Sequence, residues 1–367
     1  SNIMIFEKHN GQNLYRIEHF DKIDPFLISI TSSEDYWMYI SSTGCLTAGR
    51  KNAETCLFPF DTVNILHTNA HITGPVTIIR IEGVNNETHL WEPFTQYRPK
   101  YEIKRNLYKN CIGNTIVFEE HNISLELTFR YQWHICKGFG FVKEASIINN
   151  GTEDRNLSVV DGLQNIMASG IELQTQQTMS NLSNAYRYSE ILQPSKCAIF
   201  SLTSLLMDRP KPGESLYANI VWCLSDFEYK ISLSSNQIKR FRKNLEFEEI
   251  NLVTGKPGAF LINMKQCIKP NNEISWNIIS DVHRSQFDIT DLQHKIQYDN
   301  ELPYKISEGI KTDACDLEKH IGNADGFQCT NITINDMHHT ANILYNVMRG
   351  GILFNDYKVD KNDFISF

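Results

Sequence analysis

The densest concentration of ligand-ready side chains lies between residues 41 and 62. The run Ser42-Thr-Gly-Cys-Leu-Thr-Ala-Gly-Arg-Lys-Asn52 ends in three consecutive donor side chains, Arg50, Lys51 and Asn52. Gly44 and Gly49 let the backbone come close to a bound molecule, and the guanidinium offers a planar fork of donors. A carbohydrate needs many directed hydrogen bonds, so this segment is read as one wall of a sugar cleft. The competing reading is a structural loop in which Arg50 pairs with Glu54 or Asp61. Trp91-Glu92-Pro93-Phe94 is the second candidate, an aromatic face for pyranose C–H groups beside a carboxylate. Its plainer reading is a buried anchor, because large aromatics mostly bury area.

Other groups of the right type lack the right spacing. Moving a proton on and off a sugar ring takes a positioned base and a positioned acid, roles that a carboxylate and an imidazole can fill. Asp281, His283 and Glu144 stand in strand-like context but nothing in the sequence joins them, so structural roles are expected. His67 and His71 are four apart and His338-His339 is a doublet, yet neither has a third ligand at recognisable spacing. No cysteine shows the setting of a nucleophile. The sequence therefore assigns no catalytic residue, no metal and no cofactor.

The 367 residues are 41 % hydrophobic and 21 % charged, which excludes a disordered or collagen-like polymer. Apolar runs are far too short to cross a bilayer, and no basic start with an apolar stretch marks a leader peptide. Net charge is −8 with the 35 basic residues scattered, which excludes an electrostatic nucleic-acid surface. The nine cysteines are odd in number, widely spaced and without a CxxC pair, so reduced thiols in a cytoplasmic protein are expected.

Positioning falls to strands. Leu14–Phe20, Val76–Ile81, Ile123–Tyr131 and Ile274–Ser280 alternate apolar and polar residues and are rich in β-branched and aromatic types. Gly140–Asn149, the turn Asn149-Asn-Gly-Thr152 and Leu157–Asp161 read as a long antiparallel hairpin. Many strands without interleaved helices predict a mainly β, antiparallel two-layer sandwich over residues 1–283. Residues 284–367 read as a helical extension. Ser285 starts a helix with Ile289, Leu292 and Ile296 on one face. Residues 301–332 look like an extended polar linker, and a second helix capped by Thr333 or Asn335 carries Met337, Ala341, Leu344, Tyr345 and Met348. The apolar end Asp363-Phe-Ile-Ser-Phe367 wants a partner, so the chain reads as the front part of a longer protein.

Three segments carry a resemblance. Tyr39–Asn52 with Leu57-Phe-Pro-Phe-Asp61 resembles the N-terminal region of large bacterial proteins similar to cellobiose phosphorylases. Trp91-Glu-Pro-Phe94 and Tyr101-Glu-Ile-Lys-Arg-Asn106 look like the next strands of that domain. Phe141–Gly162 resembles the central hairpin of the galactose-mutarotase-like β-supersandwich. The resemblance implies such a supersandwich followed by a helical linker to an (α/α)6 barrel of the same polypeptide. In that family the catalytic acid lies in the barrel, which implies that this segment is a non-catalytic, carbohydrate-contacting and scaffolding domain of a glycoside phosphorylase or hydrolase. Homodimer formation is implied as well. The 41–62 loop departs from the family's aromatic-rich version, which sets phosphorolysis against hydrolysis as an open choice. Two other readings stay open: a self-sufficient mutarotase-like epimerase acting on a free sugar, and a purely structural interaction domain.

Overall fold

The computed structural model describes residues 4–9, 12–84, 86–97, 100–110, 112–171, 176, 180–203 and 217–323. The period-two runs become strands, and the strand pairings among the described residues are antiparallel. The largest sheet has eleven strands. Its first half runs, in spatial order, β1 (Met4–His9), β2 (Gln12–Glu18), β8 (Ile103–Asn110), β9 (Ile116–Asn122) and β10 (Leu127–Cys136). It continues through β11 (Gly140–Asn149), β19 (Glu273–Ser285), β15 (Tyr217–Leu224), β14 (Cys197–Leu202), β13 (Arg187–Leu192) and β17 (Leu252–Thr254). A five-stranded sheet orders β16 (Lys230–Ser232), β18 (Gly258–Ile268), β12 (Arg155–Ile166), β6 (Gly74–Val84) and β7 (Glu87–Trp91). A three-stranded sheet holds β3 (Leu27–Thr31), β4 (Tyr36–Ser41) and β5 (Leu46–Arg50).

The two larger sheets face each other across one core, as the antiparallel two-layer sandwich predicts. Phe118, Phe129, Trp133 and Trp276 of the first meet Ile79, Val159, Phe260 and Ile262 of the second, and the small sheet adds Ile30, Met38 and Leu46. Burying each such side chain contributes roughly 1.5–3 kcal/mol. Trp37 and Trp222 are also buried, as their apolar strands predict.

The expected hairpin at Asn149-Asn-Gly-Thr152 is an arch instead. β11 pairs with β10 and β19, whereas β12 pairs with β18 and β6 in the opposite sheet. The Asn149 side chain builds the arch: Oδ1 accepts the Gly151 N–H at 3.0 Å, and Nδ2 donates to Glu153 O at 2.8 Å and Ile268 O at 2.9 Å. The inward faces of β11 and β12 then look at each other through the core. Lys143 Nζ meets Asp161 at 2.8 and 3.0 Å with both side chains fully buried. Asp161 also accepts Trp276 Nε1–H and the Thr77 hydroxyl, each at 2.7 Å. Three donor groups thus make four hydrogen bonds to one carboxylate, and those from Lys143 and Trp276 join the two layers.

Among the described residues five α-helices decorate the sandwich: α1 (Val63–Thr68), α2 (Ser180–Ala185), α3 (Asn236–Arg242), α4 (Gln286–Tyr298) and α5 (Leu302–Asn323). α4 begins where the sequence places it, with Ser285 and Asp288 forming a reciprocal capping box at 3.2 Å. α5 corrects the extended linker read for 301–332 over Leu302–Asn323, and the remainder of that reading lies outside the described residues. Its Leu302 and Ile306 recur at helical spacing and pack with α4 on Cys136, Val142 and Ile279, on the outer face of the large sheet. Leu317 and Ile321 continue the stripe against Ile112. Gly309 looks like a helix breaker but is a contact requirement, since a Cβ there would stand 2.5 Å from Cys136 Sγ. The second predicted helix, with Met337 to Met348, the His338-His339 doublet and the apolar end lie outside the described residues. No helix among the described residues is long and apolar enough to cross a membrane.

Candidate functional site

The 41–62 segment folds as β5 and a tight turn. Gly49 is obligatory there: a Cβ would stand 2.3 Å from Thr55 O and 2.6 Å from the Trp37 ring. Lys51 takes φ +59°, and Asn52 Oδ1 accepts the Glu54 N–H at 3.0 Å, so Asn52 closes the turn on itself. Arg50 Nε donates to Asp35 at 2.9 Å and the guanidinium lies 4.5 Å over the Tyr36 ring. Its carboxylate partner is thus Asp35, across the strand pair, and not Glu54 or Asp61. The terminal guanidinium nitrogens meet no acceptor among the described residues, and the side chain stays 24 % exposed.

Opposite this turn stands His283, at the end of β19. The β15–β19 register slips between Ala218 and Ile220, and His283 takes φ +52°. A left-handed non-glycine residue costs on the order of 1–3 kcal/mol and persists only where its surroundings fix it. Three contacts do so here. The His283 N–H donates to Asn219 Oδ1 at 2.9 Å, Nδ1 meets Ser169 Oγ at 2.9 Å, and Tyr217 stacks on the ring at 4.1 Å and 6°. Asn219 is buried, and its Nδ2 donates to Met167 O at 2.7 Å and Cys56 O at 3.1 Å. One amide therefore gathers three chain segments. They enclose a pocket of about 160 Å³ lined by Glu54, Thr55 and Cys56 on one side, Ser169 to Ile171 on another, and Asn219 with His283.

Burial lowers the proton affinity of His283, and the Lys51 and Arg50 charges lower it further, so the imidazole is neutral at pH 7. If Ser169 donates to Nδ1, Nε2 carries the proton and the ring is an acid; the opposite tautomer makes Nε2 a base. Glu54, exposed on the same pocket, is the complementary carboxylate. Asp281, two residues earlier, does not share the site. It is buried, accepts the Tyr36 hydroxyl at 2.9 Å and forms an ion pair with Arg284 at 3.3 Å, and burial, opposed by these groups, leaves its carboxyl raised to about 6. Burial pushes the Cys56 thiol up to about 11, so it is no nucleophile.

The remaining sequence candidates lie elsewhere. Trp91 is 2 % exposed, and its Nε1–H donates to Glu120 at 2.6 Å. Glu120 also holds Arg105 Nε at 2.6 Å and the Phe94 N–H at 3.0 Å, so Trp91 is a core anchor with no face left for a sugar. Glu92 pairs with Arg242 of α3, Nε at 3.1 Å. Neither lines the pocket, and neither do Arg50, Lys51 and Asn52. Glu144 receives Gln132 Nε2–H at 2.7 Å, and His67 Nδ1 is engaged by Ser41 Oγ at 2.7 Å. No group of three or more potential metal ligands occurs among the described residues. Five of the seven described cysteines are buried, and all seven are free thiols. The sequence reading missed Ser169, Asn219 and Tyr217. Of these only Asn219 leaves a trace, as a lone amide inside the apolar strand Ala-Asn-Ile-Val-Trp.

No family model matches the sequence, and no curated protein matches it. Solved structures overlap it distantly. A galactose mutarotase-like protein from Clostridium acetobutylicum is 11 % identical over 77 % of this chain and 99 % of its own, at a TM-score of 0.37. A bacterial glucoamylase complexed with acarbose is 7 % identical, with 92 % of this chain and 42 % of that one covered, at 0.42. Heparan sulfate lyase HepC from Pedobacter heparinus is 9 % identical over 71 % of this chain and 35 % of that one, at 0.34. This chain thus spans less than half the length of the glucoamylase and the lyase. Scores this low transfer no activity.

Proposed function

We propose that this chain is a carbohydrate-contacting, scaffolding β-sandwich domain of a carbohydrate-active enzyme similar to glycoside phosphorylases and hydrolases. The observation that carries the reading is the polar pocket where Glu54 to Cys56, Ser169 and the strained His283 converge. It offers hydroxyl, carboxylate and imidazole groups beside an exposed aromatic, Tyr217, which suits a sugar with directed hydroxyls and apolar C–H faces. The scaffolding part is supported by α4 and α5. Phe287 and Tyr298 lie eleven residues apart on one face of α4 and are 80 % and 69 % exposed, beside Tyr304 at 65 %, which suits a barrel of the same polypeptide. The test is a titration of the chain with mono- and oligosaccharides, followed by amide chemical shifts. Saturable shifts confined to residues 50–56, 169–171 and 283 are expected. No shift at these positions at millimolar sugar would refute the contact.

A second reading rests on His283 and Glu54 sharing the pocket. A free sugar's O1 proton would pass to the Glu54 carboxylate while the neutral imidazole, as its Nε2–H tautomer, protonates the ring oxygen. The ring C1–O bond breaks to an open-chain aldehyde, and reclosure on the other face gives the other anomer. Catalytic acceleration of anomer exchange, abolished in both Glu54→Gln and His283→Ala, would select this reading over the non-catalytic one.

A further inference from the structure

Neither carbohydrate reading gives the Ser169 hydroxyl any chemistry, yet it stands 2.9 Å from His283 Nδ1, and both residues line the same pocket. A hydroxyl within hydrogen-bond reach of an imidazole is the pairing that makes serine a nucleophile, because the ring takes the proton as the oxygen attacks. Both partners are held in place. The Ser169 N–H donates to Phe200 O at 3.3 Å, and two residues earlier Met167 is tied through its N–H to Leu57 O and through its carbonyl to Asn219. Asn219 fixes the His283 backbone, and the Tyr217 stack fixes its ring. Burial favours the neutral imidazole, the state a general base needs.

The lining supplies the remaining parts. Gly170, at φ +89°, and Ile171 follow the serine along the pocket wall, and neither N–H meets an acceptor among the described residues. Free N–H groups just after a nucleophile are what the oxyanion of an acyl-transfer intermediate requires. At about 160 Å³ the pocket is smaller than the roughly 300–1,000 Å³ of sites for drug-sized molecules, so it admits a short acyl group. Glu54, the acidic group of the lining, disfavours an acyl group that carries its own negative charge.

We infer that the pocket hydrolyses short, uncharged acyl esters, with Ser169 as nucleophile and His283 as general base. Ser169 Oγ attacks the acyl carbon while its proton passes to Nδ1, and the resulting oxyanion is met by the Gly170 and Ile171 N–H groups. The ester C–O bond then breaks, and the imidazolium returns the proton to the leaving alkoxide. Water attacks the acyl-serine in the same way, releasing the carboxylic acid and restoring the Ser169 hydroxyl. The inference goes beyond the carbohydrate readings: it needs the pocket, but not a sugar as the alcohol. The ring is oriented by stacking and not by a carboxylate, so the expected turnover is modest.

The experiment follows hydrolysis of p-nitrophenyl acetate, p-nitrophenyl octanoate and mono-p-nitrophenyl succinate by the full chain. Methanesulfonyl fluoride labelling is read in parallel by peptide mass spectrometry. The acetate is expected to be cleaved fastest, and Glu54→Gln should raise the rate on the succinate selectively. Ser169→Ala and His283→Ala should each lower kcat/KM on the acetate about 100-fold or more, the lower range for a positioned base. The label should sit on Ser169 in the wild type and be lost in His283→Ala. Should Ser169→Ala fail to fold, labelling of the wild-type serine carries the test. Acetate hydrolysis unchanged in either folded variant, or a wild-type Ser169 that takes no label, would overturn the inference. Sugar-dependent amide shifts without ester hydrolysis would also overturn it and leave the carbohydrate reading standing, whereas ester hydrolysis without sugar binding would do the reverse.

Discussion

Asn219→Asp is the sharpest probe of how the pocket is assembled, because it keeps the shape of the side chain and inverts one end of its polarity. Oδ1 can still accept the His283 N–H at 2.9 Å. The Nδ2 that donates to Met167 O at 2.7 Å and Cys56 O at 3.1 Å becomes an oxygen facing two carbonyls. Two net hydrogen bonds are lost and two buried acceptors are left unsatisfied, which together cost about 2–4 kcal/mol at neutral pH. The new carboxyl is buried, so its folded-state pKa lies above its unfolded value. Stability is therefore regained as pH falls and lost as pH rises through the folded pKa, since the protonated acid restores one donor. For a chain of this size the neutral-pH deficit corresponds to a melting-point drop of roughly 3–6 °C. Paired melts of wild type and variant at pH 5 and pH 8 measure it. A variant within about 2 °C of wild type at pH 8, or a deficit that does not shrink at pH 5, would show that Asn219 does not hold the three walls together.

Lys143→Met should destabilise by about 3–5 kcal/mol in denaturant melts, because it strands the Asp161 carboxylate between the sheets. A loss below about 1 kcal/mol would mean that water or Thr77 and Trp276 satisfy Asp161 without the lysine. Asp313 on α5 accepts the Ser33 N–H and hydroxyl at 3.0 and 2.8 Å while its other oxygen is buried without a partner. Burial, opposed by Ser33 and reinforced by Glu34 and Asp316, raises its carboxyl from 3.8 to about 6. The docking of α5 gains a contribution of about 3 kcal/mol that is complete below pH 4 and lost as pH rises through 6. Hydrogen exchange of α5, corrected for intrinsic rates, should be slower at pH 5 than at pH 8, and Asp313→Asn should flatten the difference; equal pH dependence in both proteins refutes it. Arg50→Ala should cost only about 1 kcal/mol, since its pair with Asp35 is partly exposed, yet raise the His283 pKa measured by NMR. A large melting loss with no movement of that pKa would place Arg50 in the structure alone.

The strands and the first helix of the extension were legible because each needs only its own residues. Period-two alternation marks β6 and β19, and the Ser285–Asp288 box marks α4. What escaped depends on partners remote in sequence. The Asn-Asn-Gly-Thr signal reports a turn but not whether the chain returns to its own sheet or crosses to the other. That depends on the strands β19 and β18 that flank β11 and β12 from on the order of a hundred residues away. α5 was hidden by its polar outer face and by Gly309, whose role appears only with Cys136 against it. Of the 41–62 segment only Glu54, Thr55 and Cys56 line the pocket, and the burial of Trp91 depends on Glu120, which no local pattern reports. His283 had no local mark, since its strain, Ser169 and Asn219 are all supplied by other strands.

The energetics at His283 argue against a purely structural pocket. Two hydrogen bonds and one aromatic stack, about 0.5–1.5 kcal/mol each, are spent on holding one residue in a conformation that costs 1–3 kcal/mol. The two amounts are similar, so the arrangement adds little net stability. Glycine would adopt φ +52° without strain and would still offer its N–H to Asn219. What glycine would lack is the imidazole, kept neutral by burial and by Lys51 and Arg50, and presented to a pocket that also carries Glu54. A scaffold gains nothing from a neutral histidine held in this way. A site that hydrogen-bonds a ligand, or passes it a proton, gains a group fixed in position and in charge state before the ligand arrives.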